Sequence, residues 1–141
     1  MRRRGFTLIE IIIVVAIFSV LISLGLFMSM ETLRGTLNRS ERDIVVSALQ
    51  KARSRALANM QQAPWGVCYI APDYIVFRGF ECAPGLPTNE TVPANTANSI
   101  VFPSPIVFSQ LSATTTGGSI TIAQDGRTAT ITVNQEGMID W

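Results

Sequence analysis

From Ile11 to Met30 the sequence carries no charge, directly behind Arg2, Arg3 and Arg4 and with one carboxylate, Glu10, at its edge. About 20 apolar residues is the length a helix needs to cross roughly 30 Å of hydrocarbon. Such a segment cannot stay bare in water, so lipid or other apolar helices must cover it. The three arginines hold its N-terminal end on the cytoplasmic side, which places the bulk of the chain across the membrane, single-pass. The residues that remain are enough for one small domain with a single core.

Charge and composition narrow the function. Between residues 34 and 55 lie Arg34, Arg39, Arg42, Lys51, Arg53 and Arg55, whereas beyond Ala56 only Arg78 and Arg127 oppose Asp73, Glu81, Glu90, Asp125, Glu136 and Asp140. The distal part is mildly acidic and repels phosphate backbones, which disfavours nucleic acid as a partner. Basic residues on the outer face of an amphipathic helix are ordinarily just solvated, Arg53 and Arg55 among them. The chain has no histidine, so a zinc centre of the usual kind and a histidine-dependent nucleophile are excluded. With no glycine-rich phosphate loop and no cluster of metal ligands, nothing nominates catalytic residues, a cofactor or a metal, and the chain reads as a non-enzyme. Two readings of Cys68 and Cys82 stay open. Behind a membrane anchor they face an oxidising compartment, where a disulfide is the natural state; otherwise both are thiols, with Cys68 packed in a strand as a small hydrophobe.

Three kinds of processing compete at the N-terminus. A secretory signal peptide has a shorter apolar region and a small-residue cleavage site, which "SLGLFMSMETL" does not offer. A twin-arginine signal is suggested by Arg3-Arg4-Gly5-Phe6, but the apolar run is too long and lacks the same downstream site. The third takes the stretch whole. The basic leader, Gly5, Phe6, "TLIE" and the apolar helix resemble the class III signal of type IV pilins and of the pseudopilins of type II secretion.

That resemblance implies that a prepilin peptidase, a membrane aspartic protease, cuts after Gly5 and methylates the new N-terminal Phe6. Cleavage strips Arg2, Arg3 and Arg4, and Glu10 becomes the family's assembly glutamate. The implied partners are the peptidase, other pilins or pseudopilins by lateral helix packing, the inner-membrane assembly platform, and membrane lipid before assembly. The implied location is the cytoplasmic membrane with the head outside the cytoplasm, then a pilus or pseudopilus. Physics makes the glutamate's role reasonable. A carboxylate inside a membrane helix costs about 2.5–3.5 kcal/mol on insertion scales, so it needs a compensating partner. The α-amino group of Phe6 on an adjacent subunit is such a partner. The plainer reading is an interfacial glutamate at a helix N-terminus, favoured by the macrodipole and by water; both can hold, before and after assembly.

Beyond Met30 the helical pattern continues, since residues 31–60 hold no proline and one glycine, Gly35. Val45, Ala48, Leu49, Ala52, Ala56 and Met60 share a face, with Asp43, Ser47, Gln50 and Ser54 opposite, so this half packs on a domain. Asn59 and the run ending at Pro64 stop it. Many relatives carry a proline in the membrane half; here there is none, and Gly25 is the one candidate weak point. From Pro64 the period becomes that of strands. "WGVCYI" and "YIVFRGF" form a hairpin around Ala71-Pro72-Asp73; "SIVFPSPIVFSQL" is a strand region broken by Pro103 and Pro105; "SITIAQDGRTATITV" turns at Asp125-Gly126; "MIDW" is a last short strand. The Pro-, Thr- and Asn-rich run 83–99 reads as a surface loop.

The expected organisation is a leader 1–5, a transmembrane and filament-core helix 6–30, an amphipathic half 31–63 and a β-sheet head 64–141. This is an α+β, pilin-like fold with a long helix packed on an antiparallel sheet. "ALQKARSRALANM" and the closing "ITVNQEGMIDW" resemble the GspH/FimT branch of minor pseudopilins and minor pilins. The resemblance implies a structural subunit of a type IV pilus or type II secretion-like filament. The alternative is a competence minor pilin that binds DNA for uptake. Some uptake members place arginines in the closing turn, whereas here Gly137 is followed by Met138 and Asp140.

Overall fold

A computed structural model describes residues 7–102, 104–124 and 126–141, with the helical backbone alone at 25–38. Arg2, Arg3, Arg4, Gly5, Phe6, Pro103 and Asp125 lie outside the described residues, and Gly25 falls where only the backbone is described. The fold is α+β. By contact the chain divides into two units, Met1–Thr36 and Leu37–Trp141, a boundary slightly beyond the change of hydropathy pattern at residue 30.

One helix, α1 (Leu8–Leu57), enters both units. It is uninterrupted because no proline falls within it, and Glu10 in its first turn and Arg55 in its last complement the helix dipole. In the first unit the described side chains Leu8 to Leu24 are exposed all the way round. In the second, Val45, Ala48, Leu49, Ala52 and Ala56 are buried, the stripe the helical spacing predicts. The stripe stops at Ala56. Asn59 takes a left-handed conformation (φ 53°), the C-terminal helix stop that asparagine tolerates, so α1 ends at Leu57 and Met60 is exposed instead of closing the apolar face.

Among the described residues eight strands follow: β1 (Trp65–Ile70), β2 (Asp73–Arg78), β3 (Glu90–Pro93), β4 (Ser99–Val101), β5 (Ile106–Phe108), β6 (Gly118–Gln124), β7 (Arg127–Val133) and β8 (Ile139–Asp140). They make two four-stranded antiparallel sheets, ordered β3-β2-β1-β5 and β4-β6-β7-β8. β1 and β2 turn at Ala71-Pro72 with Tyr69 opposite Tyr74, and β6 and β7 turn so that Gln124 faces Arg127.

Two strand expectations change. The run 83–99 is not all loop: β3 lies in it and pairs with β2, Ile75 opposite Thr91 and Val76 opposite Glu90. It is an edge strand with no fully buried residue, so it needs neither a strong hydrophobic alternation nor freedom from proline. The run "SIVFPSPIVF" is not one broken strand but two, β4 and β5, which belong to different sheets.

Period-2 alternation carries both sheets' inner faces to the helix. Val67, Tyr74 and Val76 from the first sheet and Ile120, Ile122, Ile131 and Val133 from the second join Val45, Leu49 and Ala52 in one core. The opposite face of the first sheet buries a smaller cluster of Cys68, Ile75 and Phe77 beside Cys82 and Val107.

Candidate functional site

Glu10 sits in the first turn of α1, its backbone N–H donating to the Thr7 carbonyl at 3.1 Å. Its side chain is exposed, and so are Leu8 (78%), Ile9 (67%) and Ile11 (53%) around it. Ser19 bonds its hydroxyl back onto the Val15 carbonyl at 2.8 Å, so one of the two serines between Ile11 and Leu24, Ser19 and Ser23, is satisfied within the helix. What remains is an apolar cylinder with a single carboxylate at its start. A helix hydrophobic on every side requires an apolar surround. Among the described residues no helix is long and apolar enough to cross a membrane; the described side chains of the run end at Leu24, short of a full span. Arg2, Arg3, Arg4, Gly5 and Phe6 lie outside the described residues, so the leader, the cut and the Phe6 amine are not placed against Glu10.

The head holds a second carboxylate that the sequence reading did not single out. Glu41 is only 2% exposed. Its Oε1 accepts the Tyr74 hydroxyl at 2.8 Å, and its two oxygens accept the Asn95 backbone N–H at 3.3 and 3.2 Å. The helix is thereby tied to β2 and to the segment leading into β4. Burial, and then the hydrogen bond and charge of Glu41, push the Tyr74 phenol above its usual range. The signal was available: Glu41 stands one turn before Val45 on the buried stripe, where a carboxylate has no reason to be unless donors await it.

The basic segment is also less free than its sequence suggests. Glu90 on β3 accepts Arg55 Nη2 at 2.8 Å and also pairs with Lys51. These two cations hold the Glu90 carboxyl below its ordinary range. Arg55, far from simply solvated, is 20% exposed and stacks its guanidinium 4.8 Å from the centre of the Trp65 ring. Trp65 in turn donates its indole N–H to the Met60 carbonyl at 3.0 Å. Arg53 buries its Nε without a hydrogen-bond partner among the described residues.

Cys68, at the centre of β1, and Cys82, after β2, are joined as a disulfide with Cα atoms 6.4 Å apart. The bond ties the segment after β2 across the outer face of the first sheet. Among the described residues no group of three or more metal-ligating side chains stands together.

Residues 1–26 match the model of the prokaryotic N-terminal methylation motif, which covers the leader, Gly5, Phe6, Glu10 and most of the apolar run. Residues 43–137 match the model of type II transport protein GspH, which spans the last turns of the helix and the strands from β1 to β7. No curated protein and no solved structure matches the chain. An apolar helix with one carboxylate in its first turn, a buried stripe on that helix and two antiparallel sheets packed against it agree with both matches: the chain belongs to the GspH family of type IV pilin-like proteins.

Proposed function

We propose that this protein is a minor pilin or pseudopilin that prepilin peptidase cuts between Gly5 and Phe6, that is methylated on Phe6, and that enters a filament by side-by-side packing of its first helix. The observation that carries the reading is the all-round exposure of Leu8 to Leu24 about the single carboxylate of Glu10. Segment 6–30 anchors the chain in the cytoplasmic membrane, with the head outside the cytoplasm. In the assembled state Glu10 accepts the Phe6 ammonium of an adjacent subunit. Apolar helices have little hydrophobic reason to leave lipid for one another, so polar contacts of this kind and close packing direct assembly. The Cys68–Cys82 bond suits a head in an oxidising compartment. DNA uptake is the weaker reading, because Glu90 already engages Lys51 and Arg55.

The test is Glu10→Leu in the full chain, co-expressed with prepilin peptidase and the other subunits. Intact mass should show the first five residues removed in wild type and variant alike. The variant should insert in the membrane at least as well, since a charge has left the apolar segment, yet its recovery in sheared filaments should fall sharply. Equal recovery would remove the paired-charge mechanism, and an uncut chain would remove the processing.

A further inference from the structure

Three of the five buried side-chain polar atoms that lack a hydrogen-bond partner among the described residues belong to one place in the fold: Oδ1 and Nδ2 of Asn98 and Oε1 of Gln124. Asn98 comes directly before β4, and Gln124 ends β6. The register of these two strands sets Ile100 opposite Ile122 and Ser99 opposite Ala123, so the next step outward brings Asn98 to Gln124. Asn98 is only 8% exposed, yet the two amides do not bond to each other. Buried amide atoms without partners disfavour the closed arrangement, because water would satisfy them as soon as the strand came away.

Little else holds β4 down. It is three residues long and lies at the edge of its sheet. Ser99 and Val101 are exposed, the latter by 57%, while Ile100 reaches the core only half-buried. β3, an edge strand of the other sheet, is clamped through Glu90 by Lys51 and Arg55, whereas β4 carries no charged residue. Its neighbours are fixed without it. Upstream, Glu41 accepts the Asn95 N–H and the Pro72 carbonyl accepts the Ala94 N–H. Downstream, β5 is paired with β1 and buries Ile106 and Phe108. β6 itself is paired with β7 along its whole length, from Gly118 opposite Val133 to Gln124 opposite Arg127.

We infer that β4 is a detachable strap: Asn98–Val101 lifts from β6 and reseats as a unit, while Glu41 on one side and β5 on the other keep the chain in place. Opening hands the amides of Asn98 and Gln124 to water and leaves the β6 edge from Thr121 to Ala123 unpaired. The head thus has a second state with one free sheet edge, reached by local opening and not by unfolding. This goes beyond the filament reading and does not depend on it.

Amide hydrogen exchange of the full chain in detergent, resolved residue by residue, tests the strap. Along β6 successive amides point alternately to β4 and to β7, so one strand carries both the probe and its control. Between Thr121 and Ala123, amides bonded to β4 should exchange about a hundredfold faster than those bonded to β7, at a rate that mild urea barely changes, while the Asn95 amide stays protected. Asn98→Leu and Gln124→Met each replace a stranded amide by an apolar side chain of similar shape. Asn98 is not among the residues with positive φ, so the backbone accepts leucine. Each variant should slow the β4-bonded amides about tenfold relative to the β7-bonded ones, a ratio in which any change of overall stability cancels. Equal protection along β6, loss of the Asn95 amide together with those of β4, or a ratio that both variants leave unchanged or increase overturns the strap.

Discussion

The Glu41 carboxylate accepts the Tyr74 hydroxyl at 2.8 Å inside the head core, joining residues 33 positions apart. Replacing either member leaves the other buried with an unmet need. Glu41→Ala strands both the Tyr74 hydroxyl and the Asn95 N–H and should cost about 3 kcal/mol; Tyr74→Phe leaves the carboxylate with the Asn95 N–H and should cost about 2 kcal/mol. Combined, the two should cost less than their sum, because the second change removes a group already stranded by the first. Urea unfolding of the full chain in detergent, followed by tryptophan fluorescence, measures all three.

Acid should loosen the attachment of β3. The hydrogen bonds from Lys51 and Arg55 hold the Glu90 carboxyl below its unfolded value of 4.5. Its contribution to stability is therefore present in full above pH 4.5 and is lost as pH falls through the lower folded value. Glu90 is 38% exposed, so solvent screens the pair and the contribution stays below about 1 kcal/mol. Glu90→Gln should lower the thermal midpoint slightly at pH 7 and leave it unchanged in strong acid, a comparison that a pH series of melts makes directly.

The disulfide should matter more. Cys68 and Cys82 close a loop with a sequence separation of 14, for which chain entropy gives about 3 kcal/mol. Cys82→Ser should lower stability by roughly that amount. Reductant should bring the wild type down to the variant and leave the variant itself unmoved, as read by unfolding with and without dithiothreitol.

Two glycines of similar backbone should respond differently. Gly126 (φ +78°) has nothing within 4 Å of a built Cβ, whereas at Gly137 (φ +76°) a Cβ would fall 2.2 Å from the Ala113 carbonyl oxygen. Gly126→Ala should cost only the conformational strain, about 1 kcal/mol. Gly137→Ala should cost well over about 2 kcal/mol, because the buried turn beneath Ala113 must also move. Thermal melts of the two variants side by side check the contrast.

Much of this was legible because periodicity is a local signal. The stripe from Val45 to Ala56, the β1–β2 hairpin and the β6–β7 hairpin all announce themselves within a dozen residues, through spacing of 3.6 or 2 and turn residues between. Sheet membership is not local. Nothing in "SIVFPSPIVF" says that its two halves pair with different partners, because alternation reports which face is buried and not which strand lies alongside. β3 escaped notice for a related reason: an edge strand exposed to water carries little apolar pattern. The partnership of Glu90 with Lys51 and Arg55 spans 39 and 35 positions and could be found only once β3 was seen to bring Glu90 to the helix. Glu41 was different, since its place on the stripe was readable by counting back one turn from Val45. The leader and its cleavage point rest on the motif alone.

The split of one sequence run between two sheets sets an order on the head's emergence. β1, β2, β3 and β5 are all complete once the chain has been delivered as far as Phe108, so the first sheet can close early. β4 alone is made out of turn. Its partner β6 ends only at Gln124, and until then the edge of Ser99–Val101 has nothing to pair with. A head that forms from its N-terminal side onward thus carries one idle strand through the interval, tethered on both sides to a sheet already formed and waiting for β6, the next strand of its own sheet to be made.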